Sequence, residues 1–240
     1  MVIAPLVSDV LSGQAESAYV PILPWLILAL PLLGALVNGI AAFARPADKR
    51  LPTLIGPAAI IGAFVVVVAN FLGMKAAPPE AGAVVTLWQW MAVDGLRIGI
   101  DLGFDQLSIL MMLIVTGVSS VIHVYSVGYM REDPGYARYF AYLNLFVFFM
   151  LVLVAGANFP VMFVGWEGVG LCSYLLIGFW YQNREYASAG KKAFIVNRIG
   201  DFGFLIAMFL VFVHFGTLDF AAVLAEAPST LVVGGGVVTV

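Results

Sequence analysis

Charge is what this sequence has least of. Only 10% of its 240 residues are Asp, Glu, Lys or Arg, against 62% hydrophobic, and the mean hydropathy is +1.04. A soluble domain of this size cannot hide that much apolar surface, because its skin would still be largely Leu, Val and Phe. Lipid is the expected solvent for much of the chain. Cysteine is almost missing as well. Cys172 stands alone, which excludes an intramolecular disulfide, and it reads as a small core hydrophobe. There is no Cys/His cluster, no Walker A motif and no GxGxxG between a strand and a helix. No motif for a metal, a nucleotide or a redox cofactor is present. The opening "MVIAPLVSDVLSGQAESAYV" has no Lys or Arg ahead of its first apolar run, which argues against a cleaved signal peptide.

What is present is a series of long apolar runs. A spanning helix needs about 20 predominantly apolar residues. Six runs meet that length, at about 21–43, 53–74, 105–127, 138–156, 160–180 and 192–215. A seventh begins near Leu231 and stops at Val240, so the chain reads as the front part of a longer one. The expected fold is an all-α polytopic membrane protein with six complete transmembrane helices and the start of a seventh. Its expected units are an N-terminal two-helix unit (1–74), an outer loop (75–104), the third span (105–127) and the start of a larger bundle (128–240).

The few cations sort by loop. Arg45, Lys49 and Arg50, then Arg131 and Arg138, then Arg184, Lys191 and Lys192 fall in alternate connections, eight of the eleven Lys and Arg. Lys75 and Arg97 fall on the other side, and the eleventh, Arg198, lies inside a span. This positive-inside bias puts the cation-rich loops on the cytoplasmic side, or its mitochondrial equivalent, and the N-terminus outside. In the longest loop, "VVTLWQWMAVDGLRIGIDLGF" alternates apolar and polar residues around Asp94-Gly95, the pattern of a β-hairpin. Trp88 and Trp90 suit a water interface. Asp105 marks the start of the third span, as an acid at the positive end of a helix.

Against this background the buried charges stand out. In "FPVMFVGWEGVGLCSYLLIGFWY" (159–181), Glu167 sits about seven residues into the fifth span with no cation in that stretch. At 1.5 Å per residue that is roughly 10 Å deep, where a carboxylate costs on the order of 2.5–3.5 kcal/mol. Gly165, Gly168 and Gly170 surround it and permit close approach of a neighbouring helix. Tyr174 returns to nearly the same face and offers a hydroxyl. A carboxyl whose charge depends on a movable partner suits proton relay; the alternative is a protonated Glu serving as interhelical glue. In the sixth span, "KKAFIVNRIGDFGFLIAMFLVFVHF", Arg198 and Asp201 are three apart and are expected to pair. Lys191 lies seven before Arg198, extending a polar stripe inward. The third span carries Thr116, Ser119, Ser120 and His123 at helical spacing. That spacing serves proton passage through His123 or, more commonly, interhelical hydrogen bonds. His214, at the outer end of the sixth span, reads as interfacial.

The run "GWEGVGLCSYLLIGFW" (165–180) followed by "KAFIVNRIGDFG" (192–203) resembles the antiporter-like, proton-pumping subunit family of respiratory complex I, chain 5 of NADH-quinone oxidoreductase. "IHVYSVGYM" (122–130) and "YFAYLNLFVFFMLVL" (139–153) are similar to the same family's third and fourth spans. The resemblance is close over about residues 104–205 and shades into the large subunits of multisubunit cation/proton antiporters. It implies a membrane-arm subunit, partnered by other such subunits and by lipid, in a bacterial inner membrane or its mitochondrial equivalent. It implies no cofactor on this chain, with FMN, iron–sulfur clusters, NADH and quinone held by other subunits. It also implies site roles. Glu167 matches the glutamate that tunes a seventh-span lysine, a partner without a position here. Arg198 and Asp201 match the sixth-span polar pair, and His123 the third-span histidine. Two other readings use the same residues: a Na⁺/H⁺ antiporter subunit, and a non-transporting scaffold whose charges only fix packing.

Overall fold

The computed structural model describes residues 19–45, 47–77, 82–93, 96–230, 232–233 and 236–237. Six helices in it are long and apolar enough to cross a membrane: α1 (Pro24–Ala44), α2 (Arg50–Ala76), α3 (Gln106–Tyr129), α4 (Tyr136–Ala155), α5 (Phe159–Ile177) and α6 (Arg184–Phe215). The six expected spans are all there. The last begins two turns earlier than expected, because Asn183 caps it and Glu185 lies in its first turn.

Helix ends follow local chemistry. Asp105 caps α3 more completely than a first-turn acid: its carboxylate accepts from Ser108 N at 2.6 Å, while Ser108 Oγ accepts from Asp105 N at 2.8 Å. Asn158 caps α5 by accepting from Val161 N at 2.9 Å, with Pro160 in the first turn, where no amide hydrogen is needed. Gly216 closes α6 at φ 68°, a left-handed conformation natural to glycine.

Between α2 and α3 the chain forms β1 (Ala83–Val93) and β2 (Leu96–Phe104), an antiparallel pair with register irregularities after Thr86 and Gln89. The hairpin expected from the alternation is present; its Asp94-Gly95 turn lies outside the described residues. The hairpin seats on the α4–α5 connection, where Asn158 Nδ2 donates to Gly99 O at 2.9 Å and Ala157 N to Asp101 O at 3.0 Å.

After α6, a short helix α7 (Phe220–Thr230) leads to the two-residue strands β3 (Val232–Val233) and β4 (Gly236–Val237). The seventh apolar run therefore does not start as a helix in its described residues. Gly234, Gly235 and Gly236 stand in a row there, and glycine carries about 1 kcal/mol of helix penalty per residue relative to alanine. The rest of that run lies outside the described residues.

Packing arranges the helices by layers. α1 lies against α4 and α2, α3 against α2 and α4, and α5 against α4. The main core, with Ile60, Val67, Phe104, Met112, Val147 and Leu151, sits beneath the hairpin. A smaller aromatic core of Met130, Tyr136, Phe140 and Phe179 closes the opposite end. At that end Lys49 Nζ donates to Arg131 O at 2.6 Å and Arg138 Nη2 to Phe179 O at 3.2 Å. The three cation-rich connections thus share one end of the bundle. α6 is the outlier: it packs on α5, and Ile199, Phe202 and Val213 on its other faces are 72%, 65% and 82% exposed.

Candidate functional site: a charge network between two helices

α5 and α6 are joined by a short connection, so they run antiparallel and pair residues at similar distances from it. Aromatic contacts fix the register. Phe163 stacks on Phe204 (centroids 5.4 Å apart), and Tyr174 lies against Phe194 at 5.4 Å. The polar residues meet on the same seam. Arg198 Nη1 donates to Glu167 Oε2, an ion pair across the two helices. Arg198 Nη1 is 3.9 Å from Asp201 Oδ2, and its guanidinium also lies 4.7 Å from the Phe194 ring. Asp201 accepts a hydrogen bond from Trp166 Nε1 at 2.8 Å.

The expected Arg198–Asp201 pair is present as the longer of two contacts, and a second acid, Glu167, is added to it from α5. Register brings the two helices' charges together, with Trp166 on one Asp201 oxygen and Arg198 facing the other. Tyr174 faces Phe194 rather than Glu167.

The environment grades the three charged groups. Asp201 is buried at 7% exposure, while the Glu167 and Arg198 side chains are 23% and 46% exposed along the flank that α6 leaves open. The glycines divide similarly. A Cβ on Gly165 would run into the Leu153 backbone and one on Gly168 into the Phe149 ring, both on α4. Gly170 faces open space. Two of the three glycines therefore bring α5 onto α4 and place Glu167 on its other side.

The remaining candidates lie elsewhere. His123 is fully buried in the α2–α3–α4 layer, its Nδ1 2.7 Å from Ser119 O and its ring 6.0 Å from Phe140. Its Nε2 is buried without a partner among the described residues. Thr116 and Ser120 donate to carbonyls one turn back, at 2.7 Å each. Those two hydroxyls are satisfied within their own helix. Lys191 is exposed two turns before Arg198 and makes no ion pair among the described residues. Trp166 is the residue that sequence reasoning missed. It is adjacent to Glu167, and the short α5–α6 connection sets it opposite Asp201.

A bundle of membrane-grade helices with an ion pair across one seam defines a polytopic membrane protein. Residues 90–140 match the family described as NADH-ubiquinone oxidoreductase (complex I), chain 5 N-terminus, and residues 156–236 match NADH:quinone oxidoreductase/Mrp antiporter, TM. The chain belongs to this antiporter-like family, as the resemblance of its motifs implied. NADH-quinone oxidoreductase subunit L of Mycobacterium tuberculosis is 46% identical over 208 residues, covering 85% of this chain and 32% of its own length. The Escherichia coli subunit L is 40% identical over 206 residues (85% and 33%), and NADH-ubiquinone oxidoreductase chain 5 of Metridium senile is 40% identical over 214 (85% and 34%). The chain thus spans about a third of the length of the curated relatives it matches. Among solved structures, the Mrp complex of Dietzia sp. DQ12-45-1b aligns with a TM-score of 0.68 at 25% identity, over 88% of this chain and 22% of that one. An archaeal membrane-bound sulfane sulfur reductase shares the fold, with a TM-score of 0.72 at 19% identity, over 86% of this chain and 40% of that one.

Proposed function

We propose that this chain forms part of a proton-translocating membrane-arm subunit of an NADH:quinone oxidoreductase. One observation carries the reading: a Glu–Arg–Asp network inside helices otherwise fit for lipid. Charges there are expensive and are kept where they do work. Arg198 has two acids within reach, one hydrogen-bonded and one at 3.9 Å. A proton arriving on Glu167 cancels its hold on the guanidinium, and the attraction of Asp201 then dominates. Loss of the proton returns Arg198 to Glu167. Such a two-position cation is a bistable element that redox events elsewhere in a complex can bias. Asp201, buried and held by Trp166, is the fixed field of the pair. Lys191 lies at the cation-rich end, on the approach to the seam. The loop charges make that end the cytoplasmic side and set the N-terminus outside. His123 bonds within another layer, and the reading routes no proton through it. Electron transfer, FMN, iron–sulfur clusters, NADH and quinone belong on this reading to partner subunits.

The decisive experiment puts Glu167→Gln into the assembled complex and follows NADH oxidation with proton uptake in vesicles. A second reading, a Na⁺/H⁺ antiporter subunit, draws support from the likeness to the Mrp complex. It requires Na⁺-dependent transport without NADH, whereas the leading reading requires NADH-dependent proton uptake.

A further inference from the structure

At the cation-rich end of the bundle, Arg138 is a guanidinium without an acid. Only two ion pairs occur among the described residues, and neither includes it. Nη2 donates to Phe179 O at 3.2 Å, and the guanidinium lies 4.6 Å from the Phe179 ring and 5.1 Å from that of Tyr181. Nε is buried with no partner among the described residues. The nearby Asp133 is committed: it accepts from Gly135 N at 2.6 Å and from Trp180 Nε1 at 2.7 Å. Arg138 also sits in the first turn of α4, which has no side-chain cap and no acid, so the positive end of the helix adds to its charge.

Two cavities meet at this residue. One, of about 310 Å³, runs between α1 and α4 along Gly39, Phe43 and Ala141; the other, of about 170 Å³, is bordered by Tyr142, Tyr174 and Tyr181. Arg138 and Tyr142 line both. The first is lined by Phe43, which is 92% exposed.

We propose that Arg138 and the tyrosines beside it bind the phosphate of a membrane phospholipid, with one acyl chain lying in the groove along Gly39 and Phe43. The chemistry matches at both ends. A guanidinium offers forked donors suited to phosphate oxygens, and tyrosine hydroxyls can donate alongside it. The groove beyond offers the apolar surface that an acyl chain fills. The position fits too, because aromatic residues and cations gather where spanning helices leave the hydrocarbon for the headgroups.

The test uses the full native complex, purified and returned to nanodiscs, with retained lipid counted by native mass spectrometry. The probes are phosphatidylglycerol, a galactolipid with the same acyl chains but no phosphate, and inorganic phosphate as a competitor. Arg138→Gln removes the charge. Gly39→Leu puts a side chain into the groove, at a position where a Cβ meets nothing within 4 Å. The expected result is retained phosphatidylglycerol in the native protein, weakened about tenfold in each variant and not replaced by galactolipid. Arg138→Lys should fall between, keeping the charge but not the fork. Equal retention in both variants, or equal occupancy by galactolipid, overturns the proposal. Displacement by inorganic phosphate also overturns it, in favour of a soluble-anion site. If Arg138→Gln fails to assemble, Gly39→Leu decides alone.

Discussion

Glu167 on α5 and Arg198 on α6 form an ion pair across a single antiparallel helix seam, within two segments apolar enough to cross a membrane. Neither residue has a comparable partner on its own helix; the nearest alternative is Asp201, 3.9 Å from the Arg198 guanidinium. The pair therefore ties two helices together and leaves its cation a second place to go. Both consequences can be measured.

The coupling itself comes first. Glu167→Gln leaves Arg198 to Asp201, Arg198→Gln leaves both acids without their cation, and the double variant leaves only Asp201 so. Residues in direct contact couple by about 0.5–3 kcal/mol, so the double variant should be more stable than the sum of the singles implies. Thermal unfolding of the four proteins in nanodiscs gives the number. Strict additivity would mean that the pair is not formed in lipid.

Trp166→Phe keeps a ring next to Phe204, which lies 6.2 Å from the Trp166 ring, and removes the hydrogen bond to Asp201. A buried carboxylate then loses a donor, at a cost of about 1–3 kcal/mol. Arg198 should be drawn toward Asp201, lowering proton uptake while the complex still assembles. Uptake equal to the native protein would remove Trp166 from the network.

The glycines of α5 give a contrast inside one helix. Gly165→Ala meets the Leu153 backbone, which cannot step aside, and should cost about 1–3 kcal/mol by overpacking. Gly170→Ala enters open space and should be neutral or mildly stabilising, since alanine is the better helix former. Comparing the amounts assembled in the membrane distinguishes them. Equal behaviour would contradict the α4–α5 contact.

Much of this was legible in the residues, for reasons that differ by element. Apolar length located all six spans because lipid imposes one minimum length on every helix. Alternation located the hairpin, and loop cations sorted the connections onto two ends. Glu167, Arg198 and Asp201 were visible because charge in an apolar run is costly. Who pairs with whom was not. The i,i+3 rule found Asp201 for Arg198 but sees one helix at a time, and the hydrogen-bonded partner lies on the other. A pairing of positions about the short α5–α6 connection would have suggested Glu167 for Arg198 and Trp166 for Asp201. Glycine spacing likewise marked a close approach without saying which glycines make it.

A structural prediction concerns the entry to α1. Asn70 accepts from Tyr19 Oη at 2.7 Å and from Ile22 N at 2.8 Å, and donates to Ile22 O at 2.9 Å. These bonds hold the segment ahead of Leu23, whose φ of 44° is left-handed and unusual for a branched side chain. Asn70→Ala orphans several of these groups and should cost about 1–3 kcal/mol, read as a lower unfolding temperature with proton uptake per NADH unchanged. A changed uptake ratio would tie this end of the bundle to coupling.

The most direct measurement of the central claim is proton uptake alongside NADH oxidation for the assembled complex carrying Glu167→Gln or Glu167→Asp. The account predicts an intact complex, both rates reduced with Gln, and partial recovery with Asp, which keeps the charge on a shorter arm. Native rates from an assembled Glu167→Gln complex would contradict it and leave the ion pair as packing alone.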